Sequence, residues 1–165
     1  MIHQWLTWID TKVRFPRAKA HCDIPCGIYD PIIAQIAALT VVRMVDLAKD
    51  LEAKGGNDAA YFNSLSRYIE VKEEHAEKVK HEVRVIWGDF IKPQHLEKHP
   101  ETVEVVQKIM QLGSKARQTV DRETAVALVE AVNQFAVIFW DAKGIPVKRT
   151  KAPYAPALEL VYPML

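Results

Sequence analysis

The chain has 165 residues, a length that fits one domain, and 49% of them are hydrophobic, enough to bury a sizeable core. Its 22 Lys and Arg nearly balance 21 Asp and Glu, so the charge balance points to neither a nucleic-acid groove nor a membrane surface. No run of about eighteen uncharged apolar residues occurs, which by length argues against a membrane-spanning helix.

In chain order, residues 1–20 form a basic leader, with Lys12, Arg14, Arg17 and Lys19 against Asp10 alone. Ala18-Lys19-Ala20 has the small-x-small form of a signal-peptidase site. No cationic region precedes Trp5-Leu6-Thr7-Trp8-Ile9, however, and the charges crowd the cut, so a secretory signal is not the preferred reading. The two cysteines, Cys22 and Cys26, lie in one short window and cannot supply a disulfide framework, which points to a reducing cytoplasm.

Asp30-Pro31 is a helix start, because Asp accepts from open N–H groups and Pro needs no N–H partner in the first turn. Ile33, Ile36, Ala37, Thr40, Met44, Leu47 and Leu51 then recur in steps of three and four, which predicts a buried stripe ended by Gly55-Gly56. Asn57 or Asp58 caps a second helix to about Trp87, with Leu65, Ile69, Ala76, Val79, Val83 and Ile86 inside. Pro93 disfavours continuous helix between Gly88 and Lys98, and Pro100 opens a third segment with Val103, Val106 and Met110 inside and Gly113 near its end. Asp121 caps a fourth helix carrying Val129, Val132, Ala136, Phe139 and Trp140, stopped by Gly144 and Pro146. The fold expected is all-α, an antiparallel up-down four-helix bundle over residues 31–143. An irregular Pro-rich tail, 144–165, follows, either frayed or packed as an arm, on its own bundle or across a neighbouring subunit.

The stretch that carries chemistry is His21-Cys22-Asp23-Ile24-Pro25-Cys26-Gly27-Ile28-Tyr29-Asp30-Pro31. Two thiols four positions apart, beside an imidazole and in a turn shaped by Pro25 and Gly27, can close around one ion without a distant ligand. A structural zinc site would need two further ligands, and a redox dithiol usually has two intervening residues. No Glu-x-x-His pair for a di-iron centre, no H-E-x-x-H and no Gly-rich phosphate loop is present. His75 and His81 read as surface or interface histidines.

His-Cys-Asp-x-Pro-Cys-Gly-x-Tyr-Asp-Pro resembles the N-terminal hook of the nickel-containing superoxide dismutases. The block from Lys80 to Glu101 is similar to that family's helix-end and loop region, and Ile138-Phe139-Trp140 adds a weaker match. The resemblance implies a four-helix bundle assembled as a homohexamer, one nickel ion per subunit, and superoxide as substrate, converted to oxygen and hydrogen peroxide by Ni(II)/Ni(III) cycling. It further implies ligation by the thiolates of Cys22 and Cys26, the Cys22 amide nitrogen and the His21 α-amine, with the His21 imidazole on the axis. Such donors push electron density onto the ion and bring its trivalent state within reach. An α-amine ligand requires that the bond after Ala20 be cut, so residues 1–20 become a pro-sequence for a dedicated peptidase and 21–165 the mature domain.

Tyr29 resembles the family tyrosine over the open face of the metal, and Asp23 the residue that orders the hook. Lys72, Lys80 and Lys92 are candidates for drawing in the anionic substrate. Some family members support the axial imidazole with Glu and Arg, where this chain has Ala37 and His75, and a second tyrosine is replaced by Phe90. The expected location is cytoplasmic, with neither nucleic acid nor membrane as partner. The alternative reading is a non-catalytic nickel- or copper-binding protein, or a thiol redox sensor, built on the same bundle.

Overall fold

The computed structural model describes residues 26–165; His21, Cys22 and Asp23 lie outside the described residues. The first long helix, α1 (Ile32–Lys54), starts where Asp30 Oδ1 accepts from Ile32 N at 2.8 Å. It stops at Gly55, whose φ of +72° is left-handed and suits glycine. In α2 (Ala59–Asp89), Asp58 caps by accepting from Tyr61 N at 2.8 Å. Pro93 opens a short helix, α3 (Pro93–Lys98), so the proline expected to interrupt helix begins a new one. Then come α4 (Thr102–Gln118) and α5 (Arg122–Ala142), the latter capped by Asp121, which accepts from Glu123 N and Thr124 N.

Each long helix packs on the next, α1 on α2, α2 on α4 and α4 on α5, and α5 closes the ring against α1. This is the expected four-helix bundle. Its axis is filled by Val79, Val83, Ile109, Leu128, Val132, Phe135 and Phe139. Helix α5 is long and apolar enough to cross a membrane, and its burial in the bundle accounts for that composition.

The phase of α1 differs from expectation. Its inner face is Ala34, Ala37, Ala38, Val41, Val45 and Ala48, while Ile33 and Ile36 are each 45% exposed and Met44, Leu47 and Leu51 only partly covered. Small residues let α1 approach its neighbours closely, and the bulkier stripe is turned outward. In α4 likewise, Val105, Val106, Ile109 and Ala116 are buried and Val103 is exposed.

Helices α2 and α4 are joined by two lysines. Lys72 is 1% exposed, and its Nζ donates to the carbonyls of Ala116, Arg117 and Thr119 at 2.6, 2.7 and 2.9 Å, closing the C-terminal end of α4. Burial pushes its ammonium below the usual lysine range. Lys80 lays its stem on Gly113, where a Cβ would stand 2.8 Å from Lys80 Cγ, and its Nζ reaches Ser114 Oγ at 3.1 Å. Both lysines are committed to helix packing, which removes them from the candidates for substrate attraction.

The tail is ordered rather than irregular. Strands β1 (Val147–Lys151) and β2 (Glu159–Pro163) form an antiparallel hairpin, Val147 opposite Pro163 and Lys151 opposite Glu159. Pro146, Pro153 and Pro156 lie outside the strands and Pro163 at the end of one, so none interrupts the ladder. Leu160 and Val161 are buried against the chain's own bundle. The hairpin is latched by Gln35 and Asn133, each 1% exposed. Gln35 Nε2 donates to Asn133 Oδ1 and to Val161 O, both at 3.0 Å, and Asn133 Nδ2 donates to Glu159 O at 2.8 Å.

Replacing Asn133 by Ala removes one acceptor of Gln35 and the donor to Glu159, so stability should fall by about 2 kcal/mol in urea unfolding. The loosened hairpin should be cut by trypsin at Lys148, Arg149 or Lys151 faster than wild type, as peptide mapping over time will show.

Candidate metal centre

Up-and-down topology brings the start of α1, the ends of α2 and α5 and the short α3 to one end of the bundle. The described part of the hook enters here. Cys26 is half-buried, Gly27 turns the chain at φ +71°, and Ile28 is 78% exposed. Tyr29 is partly buried and packs against the core. Of the residues expected to hold or cover the metal, Cys26 and Tyr29 are therefore placed together at the foot of α1.

Tyr29 leans on Phe90, ring centroids 6.0 Å apart. Phe90 is the hub of the cluster: Phe139 lies 4.8 Å away, and His95 stacks on it at 5.1 Å with a 16° interplanar angle. Trp140 meets Phe139 edge-on at 5.0 Å. Its indole Nε1 is a buried donor with no acceptor among the described residues. Phe90 fills the position of the second family tyrosine with an apolar ring, so that side of the floor carries no hydroxyl.

Polar groups ring the floor. The Lys92 N–H donates to His95 Nδ1 at 3.1 Å, leaving Nε2 to carry the proton of the neutral ring. His99 Nε2 and Lys98 Nζ both meet Asp141 Oδ2 at 2.6 Å, tying the α3–α4 connection to α5. Hydrogen bonds from Lys98 and then His99 hold the Asp141 carboxyl below the usual aspartate range. Lys143 Nζ lies over the rings of Phe90 and Phe139, 5.5 and 5.2 Å from their centroids. Sequence reading did not single out His95, His99 or Lys143. Lys143 follows Phe139 by one helical turn, a spacing that would have placed it above the aromatic floor.

The other anticipated support is arranged differently. Ala37 is buried in the core, and His75 Nδ1 donates to Val71 O on its own helix at 2.8 Å. Among the described residues no group of three or more His, Cys, Asp or Glu could hold a metal. The donor set that remains is the hook itself, Cys26 with Cys22 and His21, two thiols and nitrogen donors within six residues. Soft thiolates with nitrogen in a short loop suit a thiophilic, square-planar ion, and nickel fits.

Because the Asp141 pKa is depressed by folding, its pairing stabilises the protein above the ordinary aspartate value, about pH 4, and this is lost as pH falls through the depressed value. Asp141→Asn should accordingly lower Tm at neutral pH and flatten the acid limb of a Tm-against-pH series. A limb as steep as wild type would show that other carboxylates set it.

The sequence profile of nickel-containing superoxide dismutases matches residues 16–143. A superoxide dismutase [Ni] from Streptomyces coelicolor is 38% identical over 125 residues, 76% of this chain and 89% of that protein. One from Streptomyces seoulensis is 35% identical over 127 residues, 77% and 91% of the two chains. The native nickel superoxide dismutase structure superposes with a TM-score of 0.64 at 35% identity, over 74% of this chain and 99% of that one. A structure of the enzyme with nickel ligation of the oxidised state gives 0.64 at 33% identity, over 75% and 99%. The hairpin beyond residue 143 thus lies outside the shared region, and over the bundle and its hook the chain belongs to the nickel-containing superoxide dismutases.

Proposed function

We propose that the chain, cut after Ala20, converts two superoxide anions and two protons into one dioxygen and one hydrogen peroxide. The observation that carries this reading is Tyr29 resting on Phe90 at the foot of α1, with the half-buried Cys26 three residues before it and the other proposed hook donors just ahead in sequence. When bound, nickel supplies the electron traffic by alternating between divalent and trivalent states. Cys22 and Cys26 would hold it through their thiolates, Cys22 also through its amide nitrogen, and His21 through its new α-amine and its imidazole.

The protein's own groups do the rest. Tyr29 would keep superoxide and peroxide from tight direct ligation, and Asp23 would order the hook. Phe90, Phe139 and Trp140 form an apolar floor that excludes bulk water from beneath the hook, strengthening the electrostatics felt by a small anion. Residues 1–20 act as a pro-sequence, removed by a peptidase in the cytoplasm. A homohexamer is supported by the outward stripe of α1, where Ile33 and Ile36 are exposed in line with Met44, Leu47 and Leu51, and by Phe62, which is 57% exposed.

Cys22→Ser and Cys26→Ser should each abolish nickel retention and lower dismutase activity at least about 100-fold, read by metal analysis and pulse radiolysis. One extra residue before His21 should remove activity and leave helicity by circular dichroism unchanged. Wild-type activity in metal-loaded protein that retains residues 1–20 would sink the amine-ligand reading.

A further inference from the structure

We infer that Lys143 is the residue that steers the anionic substrate to the metal hook, a role that rests on the dismutase reading above. The sequence offered Lys72, Lys80 and Lys92. Lys72 is consumed by three carbonyls at the end of α4, and Lys80 by Ser114 and Glu77. Near the hook, Lys98 is neutralised by Asp141, which also holds His99. Lys92 and Lys143 are both exposed and form no ion pair among the described residues, and of the two it is Lys143 that is set over the aromatic cluster. Its ammonium sits over Phe90 and Phe139, and Phe90 is the ring on which Tyr29 rests.

A cation held over two aromatic rings keeps its charge and has its position restrained by the ring quadrupoles. The rings beneath it form a low-dielectric wall, which focuses the field toward the solvent side. The ends of α2 and α5 and the starts of α1 and α4 meet at this end of the bundle, so their helix dipoles largely offset one another and side-chain charges set the local field. Lys143 places a positive charge one ring away from Tyr29. It touches no reacting atom, so it is a steering residue, and its effect belongs to the encounter rate.

A purely structural role, favouring the α5 helix end, is the competing account, and it leaves the salt dependence untouched. The test uses protein starting at His21, nickel-loaded and matched for metal content, as wild type, Lys143→Arg, Lys143→Met and Lys143→Glu. At low ionic strength kcat/KM should fall about threefold for Lys143→Met and about tenfold for Lys143→Glu, with Lys143→Arg close to wild type. The decline of wild-type kcat/KM with added salt should flatten in Lys143→Glu as screening shortens the range of the field.

A second readout needs no turnover. In a chain beginning at His21 the tryptophans are Trp87 and Trp140, both at this end of the bundle. Quenching of their fluorescence by iodide should drop about twofold in Lys143→Glu, with quenching by neutral acrylamide unchanged. Equal salt slopes and equal iodide quenching in wild type and Lys143→Glu would overturn the assignment. Wild-type protein without dismutase activity would end the functional reading instead, and the iodide comparison would still decide where the positive potential lies.

Discussion

Helix α1 is gripped on two sides, and the geometry of the metal end follows from that. One face, Ala34, Ala37, Ala38, Val41, Val45 and Ala48, lies in the bundle. On another, Gln35 is buried beneath the C-terminal hairpin and bonded to both the hairpin and α5. A helix fixed this way cannot rotate about its axis without breaking buried hydrogen bonds, each of which would strand a polar group away from water. Its first residue is therefore delivered to a defined point. Asp30 Oδ1 caps Ile32 there, Gly27 turns the chain, and Tyr29 rests on Phe90 with the half-buried Cys26 three residues before it. The hook is short and needs a rigid foot; α1 provides it.

The electrostatics of that end are divided between structure and solvent. Lys98, His99 and Asp141 satisfy one another and stitch α3 to α5, so the charges of Lys98 and Asp141 are largely spent on holding the floor in place. Lys72 does the same at the end of α4, where a buried ammonium replaces the missing partners of three carbonyls. An ammonium supplies donors and no acceptor, which matches a helix C-terminus and would not match an N-terminus. Lys143, by contrast, forms no ion pair among the described residues, and a charge without a counter-charge projects a field beyond its neighbours.

Much of the fold was legible in sequence because its signals are local. Asp30-Pro31, Asp58 and Asp121 mark helix starts by hydrogen bonds that span two or three residues, and each forms as expected. The phase of α1 was not legible, because the helix is apolar on nearly every side and periodicity alone cannot choose between an inner stripe of Ala and Val and an outer stripe of Ile, Met and Leu. Volume favoured the bulky stripe as core; close helix approach selected the small one. The hairpin was hidden for a related reason. Strand β1 reads Val-Lys-Arg-Thr-Lys and is mostly exposed, so it lacks the alternation of a half-buried strand, and its pairing partner lies beyond a proline-rich connection. Lys72 looked like a solvated lysine, since its three acceptors lie more than forty residues away in sequence.

The same contrast explains why the metal hook was readable and its surroundings were not. Its proposed donors lie within six consecutive residues, so their chemistry is written in the sequence and does not wait on tertiary structure to gather them. The floor beneath is gathered from α2, α3 and α5, and only folding brings Phe90, His95, Phe139 and Lys143 into contact. A local hook on a shared bundle lets the ion's donor set stay fixed while the surroundings vary. Here that variation is concrete: an apolar ring at Phe90, an alanine at position 37 buried in the core, a histidine at 75 bonded within its own helix, and a hairpin clamped over α1 by Gln35 and Asn133. None of these is one of the proposed sulfur and nitrogen donors, and outer partners of this kind are where a metal site of unchanged ligands is tuned.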